Sequence, residues 1–360
     1  MIDYIIRRLL LMVPTLVGIT AVVFFVMAYS PGGVGATLIS RDAELRPAER
    51  RALEEYYNRR YGLNLPRPLQ YLRWLGRVSP VGPKSAQEGF PRGLAFGLKA
   101  PDLGESMSRH RPVGAMILEA LPVTLLLNLI TIPIIYSVSI YLGIHAARHR
   151  GKLQDVGSGT VLLGLWSIPS IWAGVMLIGF FASREYLKLF PTTGLHDVRA
   201  ESMLFLPSFG PDGFQRGWLL DTLYHLVLPV ICLTYGGFAF LAKLSRGAVL
   251  EALMADYVRT ARAKGLSEKA VLYNHVLRNS LLPLITVAAH LLPGLIAGAV
   301  VVETIFGIPG MGKLTIDAIN ARDREVVLAT TLVAGVLSLI GILIADICYA
   351  IADPRVSYDK

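Results

Sequence analysis

The stretch closest to a known catalytic pattern is GIPGMGKL at residues 307–314. It matches a phosphate loop, G-x-x-x-x-G-K, at every position but the last, where a Ser or Thr must hold magnesium and Leu314 stands instead. A phosphate loop also follows a strand and opens a helix, whereas this stretch follows a long apolar run. The sequence therefore shows no ATPase site of its own. Nucleophilic catalysis fares no better. Ser158, Ser167 and Ser170 lie in or beside one apolar run and His290 in another, but no G-x-S-x-G elbow accompanies them. Cys232 and Cys348 each sit alone inside an apolar run, which supports neither a disulfide framework nor a zinc site and suits small packing residues.

What remains chemically informative is a set of ionisable groups in apolar surroundings, which are functional candidates because burying them in lipid costs several kcal/mol. His290 falls near the middle of its run. It reads either as a pathway-lining residue that meets substrate or as a histidine hydrogen-bonded to a neighbouring helix, and both fit an interior-facing position. Asp346 lies near the end of the last run, at a depth that suits pairing with basic residues. Glu119 falls at the edge of the second run, His225 opens the fourth and Glu303 closes the fifth, where it is placed to contact a gate or a delivering protein.

These groups must be positioned by membrane helices. Of 360 residues, 53% are hydrophobic and only 17% charged, against roughly a quarter charged in a soluble domain. Spans need about 20 mostly apolar residues, and six regions qualify: 9–29, 117–144, 161–182, 226–244, 284–302 and 327–349. The first is too long for a signal-peptide core and reads as an uncleaved anchor helix. Pro229 and Pro283 are expected to start spans, and Pro169 and Pro293 to kink them. The net charge of +9 would suggest nucleic acid in a soluble protein. Here the short loops hold the cations: Arg7 and Arg8, then Arg148, Arg150 and Lys152, then Lys243, Arg246, Arg259, Arg262, Lys264, Lys269 and Arg278. The positive-inside rule puts both termini and both basic loops in the cytoplasm and leaves no need for a nucleic acid partner.

Residues 31–116 then form an external subdomain. Within it, Pro47 and Gly62 bracket a helix with Glu55 and Arg59 at i,i+4 spacing, and 67–78 carries Tyr71 and Trp74, rings that favour a membrane surface. Residues 79–99 and 183–221 are rich in Gly and Pro and read as irregular loops. The resulting domain plan is an anchor helix over 1–30, the external subdomain over 31–116 and a five-helix core over 117–360, which contains a cytoplasmic loop at 245–283.

That loop is the most informative stretch. Residues 256–283 read DYVRTARAKGLSEKAVLYNHVLRNSLLP, too polar to span and too rich in helix formers to be a linker. Gly265 can end a helix in the left-handed region and Ser267 can cap the next. Ala261 and Gly265 would share a small-residue face that a partner can approach closely, flanked by Arg259, Arg262 and Lys264. Charge bias alone would explain the cations but not a glycine-broken amphipathic segment of this length. A DNA-binding helix-turn-helix would need a compact third helix that is absent from this stretch.

The stretch resembles the cytoplasmic "EAA" loop of permease subunits of ATP-binding-cassette importers, and YVRTARAKG resembles its form in dipeptide and oligopeptide permeases. Arg259, Thr260, Ala261 and Gly265 fall on the E, A, A and G of the general motif. The first two depart from it as the peptide subgroup does, and His275, Leu277, Asn279 and Pro283 match the tail. The likeness extends over nearly the whole chain: YIIRRLLLMVPTLVGITAVVFF at the start, DLGESM, LPVTLLL, SIPSIW, LFPTTG, HLVLP, ETIFGIPGMG and ADPRV, in that order. YSVSIYLGIHAARHRGKLQD resembles the branch linked to microcin-C-like peptides.

The resemblance implies an all-α integral membrane protein with about six spans and a type I importer permease fold, in the bacterial inner membrane. It implies a B-type permease subunit for peptides that binds no cofactor itself. ATP is used by separate ATPase subunits, which dock on the loop. A second, homologous permease supplies the other half of the pathway, and a periplasmic solute-binding protein delivers the peptide. It also implies that the turn after the fifth span, with Gly307, Pro309 and Gly310, lines the outer pathway. A gradient-driven secondary transporter is the alternative, but it would need midplane carboxylates and usually inverted repeats, and neither is visible.

Overall fold

The computed structural model describes residues 2–30, 47–83, 96–210 and 213–352. Its longer helices are α1 (Ile2–Tyr29), α2 (Pro47–Tyr61), α3 (Arg67–Val78), α4 (Val113–Arg148), α5 (Leu153–Trp166), α6 (Ser170–Leu177), α7 (Gly217–Met254), α8 (Asp256–Ala263), α9 (Leu282–Ile305), α10 (Met311–Asn320) and α11 (Arg324–Ala352). Among the described residues, α1, α4, α7 and α11 are long and apolar enough to cross a membrane. The α5–α6 pair makes a fifth such element, and the sixth expected span falls on α9, 24 residues long.

The third span is not the single helix expected over 161–182. It is a pair bent by 90°. Pro169 lacks an N–H and disfavours helical backbone at Ile168, so the helix stops there and restarts at Ser170. A break inside a membrane must have its carbonyls satisfied by protein. Here α7 does so: Tyr235 donates its hydroxyl to the Ile168 carbonyl at 2.7 Å, and Cys232 its thiol to that of Ser170 at 3.4 Å. Pro283 does start a span, within the first turn of α9, whereas Pro229 lies inside α7, which begins at Gly217. Two stretches read as irregular loops carry short antiparallel pairs, Val81–Pro83 with Phe96–Leu98 and Ser208–Gly210 with Gly213–Gln215.

The chain folds as two compact units. One holds Pro122–Lys313 with the described residues from Ile340 on, and the other holds the described residues of Ile2–Leu121 with Leu314–Leu339. In the second unit, Pro47 opens α2 and Gly62, with φ of +65°, ends it, and Glu55 and Arg59 form the expected i,i+4 ion pair. Helix α3 does not present its rings to a membrane surface. Tyr71, Trp74 and Val78 recur on one face and are buried against Phe24 of α1 and Leu328 of α11. The Tyr71 hydroxyl donates to the Val17 carbonyl at 2.8 Å and lies 3.0 Å from the Thr20 hydroxyl.

The same unit buries an ionic cluster at the start of α11. Glu325 is fully buried and accepts from Arg77 at 2.6 Å and from its neighbour Arg324 at 2.9 Å, while Arg324 also donates to Gln70 at 2.9 Å. Asp323 caps α11 and accepts from the Ser106 hydroxyl at 2.6 Å and from the Ser108 N–H and hydroxyl at 2.9 Å. Gly104 runs over the cluster with φ of +82°, and a Cβ there would sit 2.9 Å from Glu325 Oε2. Burial of this kind is tolerable because Glu325 meets two guanidinium groups and Asp323 accepts hydrogen bonds from Ser106 and Ser108.

Candidate functional site

Two constructions in the first unit bring the candidate residues together. The first is the loop at 245–283. Helix α7 ends at Met254, Ala255 turns extended, and α8 begins at once. Gly265, with φ of +77°, stops it, its N–H and that of Leu266 donating to the Arg262 and Ala261 carbonyls. Ser267 then caps the next turn by accepting the Ala270 N–H at 3.3 Å. The helix that follows starts at Glu268–Ala270 and widens into a π-helical segment, Val271–Leu277, which hydrophobic patterning did not reveal.

The loop has its own core. Val258, Ala261, Val271, Leu272 and Val276 are buried together with Ala147 of α4 and with Val249 and Ala252 of α7. Ala261 and Gly265 therefore do not form one exposed small-residue face. Ala261 is a packing residue, because α8 turns it toward α7, while Gly265 is exposed with open space around its Cα. Arg259, Thr260, Arg262, Lys264, Asn279 and Pro283 are exposed, and His275 is half-buried. Arg262 is held by both oxygens of Glu268, at 2.9 and 3.2 Å, and Arg259 by Asp256 at 3.4 Å. With Tyr257 and Leu266 also exposed, the outer surface mixes apolar and basic groups.

The helices beneath the loop are fastened to each other. Arg246, counted above among the loop cations, makes a bidentate pair with buried Asp155 of α5 at 2.6 and 2.7 Å. A Cβ on Gly143 of α4 would lie 2.5 Å from the Ser245 side chain, so these helices approach as closely as only glycine allows. Asp155 was missed as a partner because i,i+4 logic does not reach across 91 positions.

The second construction is the turn after α9. Glu303 is fully buried, so in this chain it is a structural acceptor and not a surface contact for a delivering protein. It accepts from the Thr124 hydroxyl at 2.7 Å and from the Lys313 N–H at 2.9 Å. Thr124 in turn accepts the Met311 N–H at 2.8 Å. A Cβ on Gly310 would sit 2.4 Å from the Glu303 carboxyl carbon, and one on Gly312 would sit 2.5 Å from the Val300 Cα. Gly307 has φ of +63° and Pro309 is exposed at the tip. Gly310 and Gly312 are thus glycines because the chain folds closely over a carboxylate and over Val300, which accounts for this part of the stretch without a phosphate.

The other ionisable candidates separate. His290 lies on α9, but its side chain is outside the described residues. His225 does not open a span; it sits inside α7, half-buried and 3.4 Å from Asp221. Glu119 pairs with Arg111 at an exposed position. Asp346 is half-buried on α11. Sequence reasoning passed over Asp323, Arg324 and Glu325, although four charged residues in a row at the foot of an apolar helix, Arg322 to Glu325, are the signal that finds them.

Two family models cover most of the chain. The N-terminal component of binding-protein-dependent transport system membrane proteins matches residues 1–128, and the binding-protein-dependent transport system inner membrane component matches residues 139–358. The chain belongs to this family. It is similar along its whole length to the oligopeptide transport system permease protein AppB of Bacillus subtilis strain 168, at 38% identity over 99% of both chains. It is 35% identical to the di/tripeptide transport system permease protein DppB of Pseudomonas aeruginosa, over 100% of both, and 31% identical to the inner membrane ABC transporter permease protein YejB of Escherichia coli O157:H7, over 99% of both. Among solved structures, an inward-facing MetNI methionine ABC transporter matches with a TM-score of 0.50 and 16% identity, covering 67% of this chain and 98% of that one. That likeness establishes the type I importer permease fold alone. A family of inner membrane transport components sets aside the gradient-driven alternative.

Proposed function

We propose that this chain is the permease subunit of an ATP-driven importer of peptides, forming half of the translocation pathway. A second, homologous permease forms the other half, and a periplasmic solute-binding protein delivers the peptide. Separate ATPase subunits bind and hydrolyse ATP, and this chain binds no cofactor. Both termini and the loop at 245–283 face the cytoplasm, and the segment at 31–116 faces outward, in keeping with the charge of the short loops.

One observation carries the coupling role: the loop is a small folded body with its own core, seated on the ends of α4 and α7. A push on its exposed Arg259, Thr260, Arg262, Lys264 and Gly265 reaches helices that are pinned by the Asp155–Arg246 pair. A flexible linker would dissipate that push. His275, Asn279 and Pro283 continue the same body into α9. The ATPases then need only bias two packings of the helices. The turn with Gly307, Pro309 and Gly310, held by Glu303, serves as the outer gate, and His290 lies along the pathway on the same helix as Glu303.

The test is isolation of the detergent-solubilised chain from its own host, with mass spectrometry of what accompanies it. Two ATPase chains and a second permease are the expected companions. A lone chain or a homodimer, under conditions in which such importers stay assembled, contradicts the proposal.

A further inference from the structure

Between the loop and the helix ends lies a cavity of about 440 Å³. Its lining includes Arg148, Arg262, Lys269, Glu268, Tyr273 and Leu272. Three cations face one carboxylate, and that carboxylate is already occupied in holding Arg262. Arg148 and Lys269 are both exposed and enter no ion pair among the described residues. The C-terminal ends of α4 and α7 offset part of that charge, about half a unit each, and leave the cavity net positive. Arg148 and Lys269 therefore exceed what the cavity needs to balance Glu268.

Depth decides what the excess charge meets. The apolar run of α4 ends at Ile144, and Arg148 is one helical turn further on, about 6 Å along the axis. The headgroup layer extends roughly 5–8 Å beyond the hydrocarbon core on each side. Long basic side chains cover apolar surface with their stems and put their charge in that layer. Basic pockets between membrane helices at this depth suit anionic headgroups.

We propose that this cavity binds the phosphate of an anionic phospholipid headgroup, held by Arg148 and Lys269 with the Tyr273 hydroxyl at its rim. The lipid would brace the coupling loop against the membrane. The inference rests on the assignment of 245–283 to the cytoplasmic face only for the choice of leaflet, and discs with the same lipids in both leaflets remove that dependence from its test.

The experiment places the full chain in nanodiscs of phosphatidylcholine with a minor fraction of phosphatidylglycerol and reads the retained lipid by native mass spectrometry. Wild type is expected to retain phosphatidylglycerol preferentially. Arg148→Gln or Lys269→Gln should each weaken retention about fivefold, and the pair about thirtyfold, at about one charge's worth per residue. Arg148→Lys, which keeps the charge, should retain the lipid and guards against a folding defect in the other variants. Equal retention in wild type and the double variant overturns the proposal. Displacement of the lipid by millimolar inorganic phosphate, itself retained in phosphatidylcholine discs, identifies a free anion and overturns the lipid source. A photo-crosslinker at residue 269 that captures an acidic segment of a partner protein, with no lipid preference, assigns the cavity to that protein instead.

Discussion

Replacing Gly310 with Ala should be costly only while Glu303 is present. The three atoms nearest a Cβ at Gly310 all belong to Glu303: its carboxyl carbon at 2.4 Å and its two oxygens at 2.5 and 2.6 Å. The carboxylate cannot retreat without releasing the Thr124 hydroxyl and the Lys313 N–H. Overpacking of this kind costs about 1–3 kcal/mol. Glu303→Ala leaves those two donors without an acceptor, and each unpaired buried group costs about 1–3 kcal/mol. In the Glu303→Ala background those three atoms are gone, so the added cost of Gly310→Ala should fall well below its cost in wild type. The double-mutant cycle should therefore show a coupling of about 1–3 kcal/mol, read from thermal unfolding of the solubilised chain. Glu303→Gln should cost less than Glu303→Ala, because its carbonyl can accept the Lys313 N–H while its amide N–H donates to the Thr124 hydroxyl oxygen. An equal cost for Gly310→Ala in both backgrounds would refute the carboxylate-held turn.

Other outcomes follow from the same geometry. Gly265→Asn, which tolerates φ near +77°, should keep coupled transport, Gly265→Val should lose about 1–2 kcal/mol in the loop, and Gly265→Arg should insert normally yet abolish ATP-coupled uptake, as reconstituted vesicles can show. Arg77→Leu or Glu325→Leu alone should destabilise the chain by about 3–5 kcal/mol, and the two together by clearly less than the sum, as unfolding measurements would reveal. Burial, with the Glu325 charge adding to it, pushes the Tyr61 hydroxyl up to about 12. A pKa raised in the folded state means that this contribution is complete below pH 10 and is lost as pH rises from 10 to 12, so Tyr61→Phe should flatten the alkaline limb of a stability profile over that window.

The class of the fold was legible because membrane helices announce themselves by length and apolarity, and α1, α4, α7 and α11 fall on the expected spans. The helix–glycine–helix form of the loop was legible because Gly265 and Ser267 are local signals. The 90° break at Pro169 was legible as a kink but not in extent, since the Ile168 carbonyl it leaves free is taken up by Tyr235, 67 positions away on α7. Trp74 and Tyr71 were read as interfacial because an aromatic residue near a membrane carries the same signal whether it faces lipid or protein. The direction of Ala261 and the burial of Glu303 depended on partners far along the chain, Val249 for one and Thr124 for the other, and no local pattern encodes such pairings.

Coupling through the loop is the central claim, and a zero-length or short cross-link tests it most directly. A cysteine at Leu266, exposed beside Gly265, should cross-link to a nucleotide-binding chain of the assembled transporter in a manner that changes when ATP is added. A control cysteine at Phe209, exposed in the other long loop, should not. Transport that continues while Leu266→Cys meets no ATP-hydrolysing chain would contradict the account.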